Sequence, residues 1–302
     1  MKIKAISLII ITCFVIASCE TIGINNLGIN NIGDVFSSLQ SGFSNSGSQS
    51  NSTQSSNSQS GSTQSSGTQN NSSQNRTTTT AAPVQVTRDD PNRRADPDAA
   101  NWDIAALDTA ANVDYLTGIE KDVILEMNKV RTNPQKYVEL YIQPLLRYFN
   151  GNNYSVPGQI TIITQEGVAA VNSCITVLNM ANSVDILTPE RGLSLAAKDH
   201  VTDQSRTGQT GHNGSDNSTP ETRMRRYGVF GRTWTYGENI DYGDTNGREI
   251  VCSLVIDDGV PNRGHRTSIM NSAFTQTGVG YGTHTQYRTI CTITYAAGYS
   301  SN

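Results

Sequence analysis

The chain has 302 residues, a net charge of −4 and five cysteines. The charge is small and evenly spread with no basic stripe, which excludes a nucleic-acid partner or an anionic surface as the main partner. Residues 44–75 consist of Ser, Asn, Gln, Thr and Gly without a charge or a large apolar side chain, too little apolar surface to offset the entropy of ordering.

The first 18 residues have the layout of a secretory signal. Lys2 and Lys4 precede an apolar run, Ile6 to Ile16, that is too short to span a bilayer. The run ends in Ile16-Ala17-Ser18-Cys19, which resembles a bacterial lipobox. That resemblance implies acylation at Cys19 and a mature chain anchored to a membrane of the bacterial envelope, facing the extracytoplasmic side or the cell surface. Residues 19–110 then read as a disordered Ser/Asn/Gln/Thr-rich linker, and residues 111–302 as one folded domain, with about 190 residues enough to bury a core. Setting aside Cys13 and Cys19 leaves Cys174, Cys252 and Cys291, an odd set with no zinc-ligand spacing; one disulfide with a free thiol and three buried thiols are both open.

Order is expected from near Ala111. Ile119, Val123, Met127 and Val130 predict an amphipathic helix that stops before Asn133-Pro134. A second helix is expected over 135–149 with a break at Pro144, followed by a turn at 150–153. Val168, Val171, Ile175 and Leu178 predict a third helix; Leu193, Ala196, Ala197, His200 and Val201 predict a fourth, on which His200 reads as a core histidine. Thr219-Pro220-Glu221 has the form of a capped helix start, which explains Glu221 without a site role, and Gly228 is expected to end that helix in a left-handed conformation. Residues 249–256 predict another helix with Asp257-Asp258 at the unfavourable end of its dipole, so those carboxylates need another reason to be there. Two strands close the chain, 277–282 and 287–296, the second alternating Cys291, Ile293 and Tyr295 against Ile290, Thr292 and Thr294. Many helices and few strands define an α+β sandwich.

The chemistry-bearing residues lie between Gly211 and Arg266. His212, Glu238 and His265 could bind a divalent metal such as Zn²⁺, could pair by charge-assisted hydrogen bonds that tie loops together, or could act as general base and orienting carboxylate. Neither a Gly-X-Ser-X-Gly elbow nor a His-Glu-X-X-His helix is present; Ser215 lies three residues after His212 in a Gly/Ser/Asn loop.

Leu195-Ala196-Ala197 with His200, Gly211-His212, Gly237-Glu238-Asn239-Ile240, Gly264-His265-Arg266 and Gly278-Val279-Gly280 occur in the order of the CAP superfamily, the SCP or cysteine-rich secretory protein domain, which the chain resembles over roughly 117–299. The resemblance implies a three-layer α-β-α sandwich with a central antiparallel sheet and a cleft holding two histidines and two acids. Carried over, these are His212, Glu238, His265 and either Asp257 or Asp258, an Asp being one methylene shorter than the family's acid. His212 and His265 would be the ligands of a divalent ion, if one is bound. The insertion from about Tyr137 to Ile163 would form a lip at one end of the cleft. The function implied is a surface-anchored binding protein for a lipid, peptide or protein ligand. A hydrolase using His212, Glu238 and His265, and a structural adhesin-like module, are the alternatives.

Overall fold

The computed structural model describes residues 96–302. The secretory run, Cys19 and the polar tract lie outside the described residues. Among those described, no helix is long and apolar enough to cross a membrane.

The ordered chain begins earlier than Ala111. Ala99–Asn101 forms a single helical turn and α1 (Ile104–Leu107) follows, with Leu107 and Ala110 buried. Asp96 pairs with Lys129 and with Arg248, and the Trp102 indole donates to the Tyr141 hydroxyl at 2.8 Å. These residues look like linker because they are mostly short, polar or alanine. What holds them is charge pairing to Lys129 and Arg248 together with the burial of Leu107 and Ala110, which leaves no period in their own sequence.

Helix α2 (Gly118–Thr132) starts at a capping box, in which Glu120 reaches back to the Thr117 backbone, and ends before Pro134. The second expected helix is one rod of three pitches: α3 (Pro134–Tyr137), a π-helical turn over Val138–Ile142 and a 3₁₀ stretch over Gln143–Tyr148 that starts beside Pro144. Pro144 has no N–H to continue the ladder, and the change of pitch absorbs the gap. Next come the small antiparallel strands β1 (Phe149–Asn150), β2 (Asn153–Tyr154) and β3 (Ile162–Ile163), then α4 (Val168–Met180). Strand β4 (Thr188–Pro189) leads into α5 (Arg191–Thr207), and α6 (Pro220–Arg226) opens at Thr219, whose side chain accepts from the Thr222 N–H. The chain closes with β5 (Gly228–Tyr242), α7 (Gly247–Ile256), α8 (Gly264–Ile269) and the β6 (Gln276–His284)–β7 (Arg288–Ser301) hairpin.

The main sheet has the order β4-β6-β7-β5, antiparallel except for the short β4–β6 pair. Side chains alternate across it. On β7, Cys291, Ile293 and Tyr295 enter the large core with α2, α4 and α7, while Ile290 and Ala296 face α5 and α6 in two smaller clusters. Helices therefore cover both faces of one sheet, an α+β three-layer arrangement. Gly278 and Gly280 are required by close approach: a Cβ on Gly278 would sit 2.2 Å from the α5 backbone at Leu193–Ser194. Gly228 departs from expectation. It opens β5 without a left-handed backbone, and its missing Cβ leaves room for the Tyr299 ring.

Cys174, Cys252 and Cys291 are all free and buried, so no disulfide joins them.

Candidate functional site

Strand β5 is an edge of the main sheet, and two of its adjacent residues open onto opposite faces. Glu238 points to the α5/α6 face and Asn239 to the α7/α8 face, because successive strand residues alternate. Each anchors one of the two histidines singled out by the sequence.

On the first face the Nδ1 of His212 lies 2.9 Å from Oε1 of Glu238, and Arg223 donates to Oε2 at 2.8 Å. Arg223 comes from α6 and also donates to the carbonyls of His212 and Ser218, at 3.0 and 2.9 Å. All three side chains are buried. Burial alone would raise the Glu238 pKa; the Arg223 charge and the His212 hydrogen bond outweigh it and hold the carboxyl at about 2. Glu238 is thus an acceptor only, so Nδ1–H of His212 donates to it and Nε2 is left as the ring's second nitrogen.

The loop carrying His212 is fixed from beneath. His200 Nε2 contacts the Gly211 carbonyl at 2.8 Å, Gln204 Nε2 donates to the same oxygen at 2.6 Å, and the Tyr242 hydroxyl accepts from Gly211 N–H. His200 is the core histidine expected, and desolvation lowers its pKa. Ser215 takes no part in the His212 contact: both its N–H and its hydroxyl go to Asp203. Glu221 pairs with Arg225 on the surface of α6.

On the second face Asp257 settles which of the two neighbouring acids belongs with His265. Asp257 ends α7 in a left-handed conformation (φ 61°), one that Asp tolerates better than most residues. Its Oδ1 lies 2.6 Å from His265 Nδ1, and Oδ2 accepts from the N–H groups of His265 and Arg266 at 2.9 and 3.3 Å. A carboxylate misplaced at the end of α7 is thereby well placed at the start of α8, where backbone N–H groups lack partners. Asp258 turns elsewhere and accepts from the N–H groups of Gln165 and Glu166 at 2.7 and 2.8 Å. Arg266 closes the far side by donating to the Val255 and Ile256 carbonyls at the end of α7. Asn239 Nδ2 donates to the His265 carbonyl at 3.1 Å, which ties this turn to β5.

The insertion is bolted to the same turn. Glu166 accepts from Gly259 N–H and pairs with Arg263, so the segment after β3 is clamped to residues 257–263.

The structure thus resolves the expected group of four into two pairs, His212–Glu238 and His265–Asp257, on either side of one edge strand. Among the described residues no three or more His, Cys, Asp or Glu side chains are grouped so that they could hold a metal ion. Each Nδ1 is engaged by a carboxylate, which leaves Nε2 of His212 and of His265 as the remaining ring nitrogen. Arg223 was not singled out by the sequence. Its signal there was only a basic residue in the last turn of a short helix, which capping alone explains.

A mixed sandwich with paired helical layers and two histidine–carboxylate contacts at the edge of its sheet defines an SCP-type domain. Residues 128–295 match the profile of the cysteine-rich secretory protein family, CAP, and the chain belongs to that family. Among solved structures, the chain is similar to an outer surface protein of Borrelia burgdorferi at 15% identity, over 42% of this chain and 84% of that one, with a TM-score of 0.31. It is also similar to an extracellular protein containing an SCP domain from Bacillus anthracis, at 20% identity over 41% of this chain and 36% of that one, with a TM-score of 0.30. No curated protein matches the sequence.

Proposed function

We propose that the chain is an extracytoplasmic binding protein, anchored to the bacterial envelope through Cys19, whose CAP domain takes a lipid, peptide or protein ligand beside β5. The observation that carries this is the state of the two imidazoles. Each is held at Nδ1 by a carboxylate whose oxygens are already taken, which fixes the ring and leaves Nε2 as its remaining polar atom. Saturated carboxylates suit recognition better than proton transfer: Glu238, held at about 2 beside Arg223, is a poor base at neutral pH. Localisation rests on the secretory run and lipobox-like residues of the N-terminus.

The test is histidine NMR on the full chain against a panel of phospholipid, fatty acid and short peptide ligands. A ligand of this site shifts the ring resonances of His212 or His265, and the His212→Gln/His265→Gln double variant loses binding while it stays folded. Binding that survives in the double variant would place the ligand elsewhere.

One observation favours hydrolysis as a second reading. A carboxylate on Nδ1 is also the arrangement that orients an imidazole base. His212, not Glu238, would then be the base, and turnover of peptide or ester substrates would disappear in His212→Gln.

A further inference from the structure

The insertion presents an unprotected sheet edge. Among the described residues, strand β3 pairs with β2 only, Tyr154 opposite Ile162 and Asn153 opposite Ile163, and no strand pairs with its other side. Thr164 N–H donates to the Asn152 carbonyl, so the backbone groups of Ile162 and Thr164 face β2 while those of Thr161 and Ile163 face outward. The side chains there are apolar and solvent-facing: Ile160, Ile162 and Ile163 are 64%, 40% and 46% exposed. Natural edges are commonly blunted by charge, Pro or a covering element. Here, between Arg147 and Asp185, Glu166 is the single charged residue, and it is taken up by Arg263.

The segment Gln159-Ile160-Thr161-Ile162-Ile163-Thr164-Gln165 is uncharged, and about Ile162 it places Gln opposite Gln and Thr opposite Ile on both sides. A two-fold axis through Ile162 would run two copies antiparallel. Thr161 then meets Ile163 of the second copy, and the reverse, so the outward N–H and C=O groups of both residues pair across the axis. Gln159 faces Gln165, and Ile162 faces itself. A charge at 162 would face its own copy across such an isologous contact; the segment carries no charge.

We propose that β3 is a self-association edge, on which a second copy of this chain adds antiparallel about Ile162. The contact is small, so the dimer is weak in dilute solution and gains from chains concentrated on one surface. It holds two domains through a segment clamped to the Asp257 turn. This inference stands apart from the ligand reading and does not depend on it.

The test uses the full chain in detergent with Cys13→Ser and Cys19→Ser, which leaves only the three buried thiols. Ile162→Cys, Ile163→Cys and Val229→Cys are added singly, Val229 being an exposed residue on β5. The expected result is disulfide-linked dimer from Ile162→Cys at several times the yield of Ile163→Cys, with none from Val229→Cys. Without added cysteines, Ile162→Lys weakens the dimer in sedimentation equilibrium by about tenfold or more. Equal cross-linking at 162 and 163, or a parent chain monomeric up to about 1 mM, overturns the proposal. So does a chain that stays monomeric but binds phosphatidylcholine vesicles through Ile162, because the occupant is then a lipid surface.

Discussion

Asp257 holds His265 twice, at the ring Nδ1 (2.6 Å) and at the backbone N–H (2.9 Å), and so closes the turn between α7 and α8 with one side chain. The carboxylate and the left-handed backbone at this position are separable. Asp257→Asn keeps a residue that tolerates positive φ and one acceptor for the backbone N–H groups, but it turns an amide donor toward His265 Nδ1, which keeps that contact only in the other ring tautomer; the cost is about 1–2 kcal/mol. Asp257→Ala loses the acceptors and also strains the backbone, for about 3–4 kcal/mol. Urea unfolding of the two variants checks the order; equal costs would mean that the left-handed backbone and the acceptor kept by Asn contribute nothing, and no cost in either would mean that the carboxylate does not hold the turn.

Glu238 and Arg223 form a buried ion pair, so removing one partner strands the other. Glu238→Leu or Arg223→Met is expected to cost about 3–5 kcal/mol, and the double variant to recover much of that loss. This cycle also separates the binding reading from a purely structural, adhesin-like one. If the pair serves only to tie loops together, ligand binding follows the recovered stability; if it orients His212 for a ligand, stability returns and binding does not.

The motif residues His212, Glu238 and His265 were legible because they stand beside glycines in a fixed order, and the helices because their apolar residues recur at helical spacing. Strand β5 was not legible. Its sequence from Gly228 to Tyr242 mixes three glycines, charges and aromatics, and its order comes from pairing with β7, interrupted by a register shift between Phe230 and Thr235. Nor could sequence choose between Asp257 and Asp258, since both end the same helix. The choice is made by the left-handed backbone at 257, which aims one carboxylate at α8 and the next at the insertion. Residues 96–110 were missed because salt bridges, not periodic apolar contacts, hold much of that segment down.

A second pair of acids should make stability depend on pH. Burial pushes the Asp241 carboxyl well above the usual carboxylate range, and Asp244 rises to about 6 for the same reason, with Glu249 adding to it. The two carboxyls share a side-chain hydrogen bond, which needs a proton on one of them. The folded state therefore keeps protons that the unfolded chain releases, and these groups lose stability as pH climbs from about 4 through 6 and beyond. Asp241→Asn is expected to match the parent near pH 4 and to exceed it at pH 8 by about 1–3 kcal/mol. Thermal melts at the two pH values decide it; a difference independent of pH would refute the assignment.

Burial raises the thiol pKa at Cys174 to about 11, and pushes those of Cys252 and Cys291 well above the usual thiol range. None should react with a disulfide reagent at pH 8 while the domain is folded, and all three should react in denaturant. Labelling followed by mass spectrometry reads this directly.

Because Glu238 and Asn239 sit side by side on β5 yet serve opposite layers, the spacing upstream of them has parity. Inserting or deleting one residue between Thr235 and Glu238 would turn the glutamate toward His265 and the asparagine toward His212, breaking both contacts in one step. Homologous chains should instead vary in length at the irregular stretch between Phe230 and Thr235, where an added residue can bulge outward and leave the downstream phase intact.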